Sequence, residues 1–197
     1  NTTACEPPPF PALLRMAETH FDFVVIGGGS GGYAAARTAH GTGLSVDVID
    51  GAEELGGLCI LRGCMPSKTL IESANRLLNV RHAAEFGLKA ASLGVDIKSI
   101  RDRKRTLIAD FAAYRQGQLE DGRFALFRGH ARFLDQHTLE VIPRDGSASF
   151  QVTARSFCIA TGSEVFVPDV PGLAETGFWT SDDVLDAAFR RCGVLRV

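Results

Sequence analysis

Asp22-Phe23-Val24-Val25-Ile26-Gly27-Gly28-Gly29-Ser30-Gly31-Gly32 is the stretch from which the rest of the chain is read. A short, continuous apolar run ending at glycine is what a strand buried on both faces requires. Beyond it, Ser30 to His40 is rich in alanine and β-branched only at Thr38, which favours a helix. Gly41 and Gly43 stop that helix, and Ser45-Val46-Asp47-Val48-Ile49-Asp50 reads as a second strand. The result is a βαβ opening. Within it, Gly27, Gly29 and Gly32 form G-x-G-x-x-G. The first glycine permits the tight turn, the second lets backbone approach a pyrophosphate, and the third lets helix pack on sheet. Ser30 and Gly31 open the helix, whose free N–H groups attract phosphate. Asp50, 21 positions after Gly29, ends the second strand, where a carboxylate accepts ribose hydroxyls. This is a dinucleotide site by its residues, and the motif does not separate FAD from NAD.

Composition sets the frame for that reading. Over 197 residues, 21 Lys and Arg face 23 Asp and Glu, a net charge of −2 that lacks the footprint of a nucleic-acid binder. The densest basic run, Arg101 to Arg105, contains Asp102 and reads as a solvated helix face. No apolar run approaches the ~20 residues of a membrane span, and no secretory signal is recognisable. Residues 1–17 are rich in proline over their first fifteen positions and read as a disordered leader, with Met16 as the natural start. Cytoplasmic location and one domain, residues 18–188, are the expectations.

Further along, residues 66–80 and 98–119 show apolar positions at helical spacing. Strand chemistry then takes over. Ala125 to Leu134 and Thr138 to Ile142 flank a turn at Asp135-Gln136-His137. Ser149 to Thr153 reads as another strand, and Ser156 to Ala160 as a separate buried one ending at Thr161-Gly162-Ser163. The fold class is α/β, a Rossmann-like domain with a parallel sheet and an inserted antiparallel piece.

Chemistry concentrates in Leu55-Gly56-Gly57-Leu58-Cys59-Ile60-Leu61-Arg62-Gly63-Cys64-Met65-Pro66-Ser67-Lys68. Spacing alone leaves zinc ligands, buried structural thiols and a redox disulfide open. Zinc is disfavoured, because no second close pair exists and His82 lies eighteen residues past Cys64. On a regular α-helix, Cα atoms five residues apart are ~8.6 Å apart. A disulfide needs roughly 4.4–6.8 Å. Gly63 and Pro66 are placed to break the helix between the cysteines, with Pro66 suited to the first position of the next one. Cys64 then sits at a helix N-terminus, where a thiolate is stabilised, with Lys68 one turn on. Cys158, in a buried strand, reads as an inert thiol; Cys5 and Cys192 lie near the ends. His20, His40, His82 and His137 follow no ligand spacing, and no metal site is expected.

Gly27-x-Gly29-x-x-Gly32, Gly56-Gly57-x-Cys59-x4-Cys64-x-Pro66-Ser67-Lys68, Ala160-Thr161-Gly162-Ser163 and Thr180-Ser181-Asp182-Asp183 occur in one order. Together they resemble the flavin-dependent pyridine nucleotide–disulfide oxidoreductases. Pro66-Ser67-Lys68 is most similar to the dihydrolipoyl dehydrogenase and mercuric reductase branch. The resemblance implies that the loop Gly27 to Gly32 holds the FAD pyrophosphate and Asp50 the adenosine ribose, with Gly57 also binding the cofactor. It implies backbone contact of His130-Ala131 with adenine, a second FAD-contacting turn at Ala160-Thr161-Gly162, and Lys68 near the flavin ring. Cys59 would attack the substrate disulfide and Cys64 would face the flavin. Electrons would pass from NAD(P)H through FAD to the Cys59–Cys64 disulfide and on to a small-molecule or lipoyl-type disulfide.

Three departures stand out. Asp50 replaces the more usual glutamate, Leu58 the usual threonine, and Leu61 the common asparagine, with Arg62 beside it. The resemblance also implies a nicotinamide-binding domain, begun only at residues 189–197, and an interface domain with a His–Glu pair through which family members dimerise. The 197-residue chain is therefore expected to be a portion that does not turn over alone. The competing readings are a non-catalytic FAD-binding fragment and an NAD-dependent Rossmann dehydrogenase with incidental cysteines.

Overall fold

The computed structural model describes residues 19–90 and 92–186. The leader, Met16, Cys5, Cys192 and the expected start of a nicotinamide domain lie outside the described residues. Strand β1 (His20–Ile26), helix α1 (Ser30–Gly41) and strand β2 (Val46–Asp50) form the opening unit. Two helices follow, α2 (Gly57–Leu61) and α3 (Cys64–Arg81), then the long α4 (Ile97–Leu119). Strands β3 (Ala125–Phe133), β4 (Thr138–Pro143) and β5 (Phe150–Ile159) come next, and a short helix, α5 (Ser181–Asp186), completes the described chain. None of the described helices is long and apolar enough to cross a membrane.

The five strands close into a ring in the order β1-β2-β3-β4-β5. β1 lies parallel between β2 and β5, and β2 pairs parallel with β3. β4 runs antiparallel to both β3 and β5. The parallel sheet and the antiparallel piece were therefore read correctly, but the antiparallel piece is no separate insertion. It is built from the far end of β3, from β4, and from the near end of β5. The two strands expected at 149–153 and 156–160 are one. Its first half pairs with β4 (Thr138 opposite Thr153) and its second with β1 (Ile26 opposite Ile159). Ala154-Arg155 carries no turn-forming residue, so nothing breaks the strand when its partner changes.

Each face of the ring has its own core. Val25, Val46 and Val48 pack outward against Tyr33 and Ala36 of α1 and Leu119 of α4. Phe21, Val24, Ile49, Leu139, Val141, Val152 and Ala154 fill the interior. Alternation along β2 sends Val46 and Val48 one way and Asp47 and Ile49 the other. Asp47 is thus committed to the apolar interior. It has no solvent exposure, and neither carboxyl oxygen has a hydrogen-bond partner.

The basic run on α4 differs from expectation. Lys104 is buried, and its ammonium donates to the Leu185 carbonyl at 2.5 Å and to Asp186 at 3.2 Å. The acceptors lie some eighty residues downstream on α5, which no helical period on α4 can reveal. Because β4 closes the ring through its inward leucine, Leu139→Ala should cost about 2–5 kcal/mol, read as a lowered urea midpoint with an unchanged denaturant slope.

Candidate functional site

The parallel strands bring their carboxyl ends together, where ligands bind in open α/β sheets. Gly27 leaves β1 with φ +104°, and an added Cβ would lie 2.4 Å from the Ala160 carbonyl at the end of β5. At Gly32 the same atom would lie 1.8 Å from the Gly27 carbonyl. These two positions exclude any side chain. Gly29 caps α1 with no side-chain hydrogen bond, so the first turn turns bare N–H groups outward.

Asp50 is buried at the end of β2. Its carboxylate accepts from the Gly28 N–H at 2.6 Å and the Ala52 N–H at 2.8 Å. Its first action is therefore to tie the glycine-rich loop to the following turn. Gly28, outside the expected set, is the donor, and an added Cβ there would press on Asp50 at 2.9 Å. The only signal for it in the sequence is a third adjacent glycine. The turn after Asp50 is held from β3 and beyond: Arg128 donates to the carbonyls of Ala52 and Glu53, and Arg144 to that of Gly51 at 3.2 Å. The His130 ring lies over Gly51, where a Cβ would approach it to 2.6 Å. The structure thus gathers Gly27 to Gly32, Asp50 and His130 at one edge. Ala131 turns its side chain to the interior core instead, leaving only backbone to face that edge. Thr161 and Gly162 are exposed beyond β5.

The cysteine helix is attached to the same edge through backbone. Gly57 starts α2 with φ +73°, and an added Cβ would fall 2.5 Å from the Gly29 Cα. Two main chains touch here because neither carries a side chain.

Cys59 lies on α2 and Cys64 opens α3, with the helix broken at Arg62 and Gly63. The break was anticipated, but its details differ. Pro66 is the third residue of α3, not the first, so its missing N–H still falls among those that have no intrahelical partner. Gly63 is the residue that lets the turn fold back. A Cβ there would lie 2.9 Å from the Leu58 carbonyl and 3.3 Å from the Cys59 Cα. The two sulfurs consequently meet. Cys59 and Cys64 stand as free cysteines close enough for each to influence the other's proton.

Electrostatics at Cys64 run against the expected stabilised thiolate. The hydrogen bond to Cys59 pushes the Cys64 thiol above its ordinary value, with desolvation and the charge of Cys59 adding to the effect. The Cys64 N–H and Lys68 pull the other way and do less. Cys59 outweighs the helix terminus because, once Cys59 is ionised, its negative charge and its accepted hydrogen bond both hold the proton on Cys64. Behind the break lies a cleft of about 590 Å³ walled by Arg62, Pro66, Lys104, Trp179 and Asp182 among others.

This arrangement has counterparts. Residues 21–191 match the family model described as pyridine nucleotide-disulphide oxidoreductase. The chain belongs to that family. It is 32% identical over 176 residues to the dihydrolipoyl dehydrogenase of Bacillus subtilis (strain 168), covering 85% of this chain and 36% of that protein. It is 30% identical over 171 residues to the mercuric reductase of Bacillus cereus, covering 84% of this chain and 25% of that one. In fold it is similar to the HOCl-induced flavoprotein disulfide reductase RclA from Escherichia coli, solved as a Cu(II) complex. There the TM-score is 0.70 at 24% identity, over 88% of this chain and 35% of that one. The chain thus spans about a third of the length of the first of these relatives.

Two outcomes are expected from the thiol pair. Gly63→Ala should drive the turn away from Leu58 and Cys59, so that oxidised glutathione no longer closes Cys59 to Cys64, as read by peptide mapping. Cys59→Ala removes the largest influence raising Cys64, so alkylation of Cys64 by iodoacetamide at neutral pH should accelerate, by up to about tenfold per unit of lowering.

Proposed function

We propose that residues 18–188 form the FAD-binding unit of a cytoplasmic oxidoreductase that uses NAD(P)H and a Cys59–Cys64 redox pair to reduce a small-molecule or lipoyl-type disulfide. The observation that carries this reading is the direct contact of α2 with the glycine-rich loop, which sets an interacting pair of cysteines beside the bare backbone that would hold a dinucleotide. The cradle suits the group. Backbone lies bare at Gly27, Gly29 and Gly32, a Cβ at Gly29 would meet Gly57 at 3.6 Å, and a carboxylate ends β2 beside them. In the proposal the pyrophosphate is held by the N–H groups of Gly29 to Gly32 with Gly57 opposite, and the ribose by Asp50. His130-Ala131 and Ala160-Thr161-Gly162 flank the adenine and the second turn, and Lys68 lies near the flavin ring. FAD, when bound, would supply two-electron exchange between a pyridine nucleotide and the thiols.

The chain's own residues carry the rest. The Cys59 sulfur, as thiolate, attacks one sulfur of the substrate disulfide and expels the other as a thiol. Cys64 then attacks the Cys59 sulfur of the mixed disulfide, releasing the second thiol and leaving Cys59 joined to Cys64. Two electrons and two protons leave the pair, and one disulfide becomes two thiols. The mutual influence of the two cysteines supports a resolving sulfur that is in reach before the first attack begins.

Purified protein should carry the visible absorbance of oxidised flavin, and dithiol reduction should produce a long-wavelength thiolate–flavin band. Cys64→Ser should abolish that band while flavin content stays the same. Purification without flavin, or survival of the band in Cys64→Ser, would reject the assignment.

A further inference from the structure

Asp47 has no part in the site just described, yet it is the least ordinary titratable group in the described chain. It lies in the middle of β2, between Val24 of β1 and Ala125 of β3. It is wholly buried, and neither oxygen has a partner. A carboxylate ion in that position would have no counter-ion and only the weak pull of the Val48 N–H, a far costlier state than a neutral acid group.

We propose that the folded chain carries Asp47 as a neutral carboxylic acid, which makes the strand ring an alkali-sensitive element of the fold. The surroundings support this from every side. Inward residues are Val24 on β1, Ile49 on β2, Phe127 on β3, Leu139 and Val141 on β4, and Val152 and Ala154 on β5, none of them titratable.

The charged and titratable groups of the same strands are engaged elsewhere. His20 bonds Thr153, Asp22 bonds Ser45 and pairs with Arg155, and Asp50 holds Gly28 and Ala52. Arg128 is bound to backbone carbonyls, His130 lies over Gly51, and Arg132 pairs with Glu140. None faces Asp47 as a counter-charge. Burial pushes this carboxyl well above the ordinary carboxylate range, and the Val48 N–H opposes it only weakly.

The direction of the pH effect follows from proton counting. Above the ordinary carboxylate range the unfolded chain has released the Asp47 proton and the folded chain still holds it. Folding therefore takes up one proton, and stability falls with rising pH until the folded group itself ionises. Below the ordinary range both states are protonated and the effect vanishes. Across the window, the ratio of folded to unfolded chain attributable to Asp47 drops about tenfold per pH unit.

The test is urea denaturation of the full chain and of Asp47→Asn from pH 4 to pH 8. The folding constant of the parent, divided by that of the variant, should fall about tenfold per unit as pH rises from the lower end. A ratio independent of pH would overturn the proposal. If Asp47→Asn does not fold, Asp47→Val serves, since its shape suits a strand interior. The parent also gives an independent reading: the infrared carbonyl band of a protonated aspartic acid at neutral pH, shifted by carboxyl-labelled aspartate. Absence of that band in the folded chain would equally overturn it.

Discussion

Everything at the candidate site depends on two backbones lying where no side chain can intervene. Gly57 sits so close to Gly29 that a single methyl group would overlap the facing Cα. That approach docks the short helix bearing Cys59 on the loop that follows β1. The loop is itself pinned by Gly27 against Ala160 and by Asp50 through the Gly28 N–H. Excluded volume and one charge-assisted hydrogen bond thus align three segments that are far apart in sequence. Cysteine position is set by backbone packing and owes nothing to side-chain flexibility.

Position and reactivity are separate matters at the thiol pair. Gly63 lets Cys64 return to Cys59, and that same proximity raises the proton affinity of Cys64 more than Lys68 lowers it. A lone thiol at a helix start would be acidic, but a thiol beside an ionised one is held neutral longer. In the proposed exchange one sulfur is kept ready while the other reacts.

The departures in sequence take on different weights in three dimensions. Leu58 is exposed, and Arg62 lines the cleft behind the break, so both lie beside the cysteine pair. Asp50 is shorter than glutamate, yet both of its oxygens find backbone donors. Lys104 changes most. Taken from the sequence as part of a solvated face, it is buried and holds α5 against α4.

Local chemistry already carried a good deal of this. The apolar run ending in Gly27, the alanine-rich helix after it, the hairpin around His137 and the break between the cysteines all arise from neighbours within a few residues, and such preferences are legible along the chain. What could not be read there arises between segments distant in sequence. Two strands proved to be one because β5 exchanges β4 for β1 without a bend. Lys104 found its acceptors on α5, Gly28 proved to be the donor to Asp50, and Asp47 was turned inward by the parity of a strand whose two faces are both apolar. Residue type and spacing determined which chemistry this chain can hold. Only the closing of the ring decided which groups meet, which are deprived of water, and which proton each must keep, because burial and distance belong to the packed molecule alone.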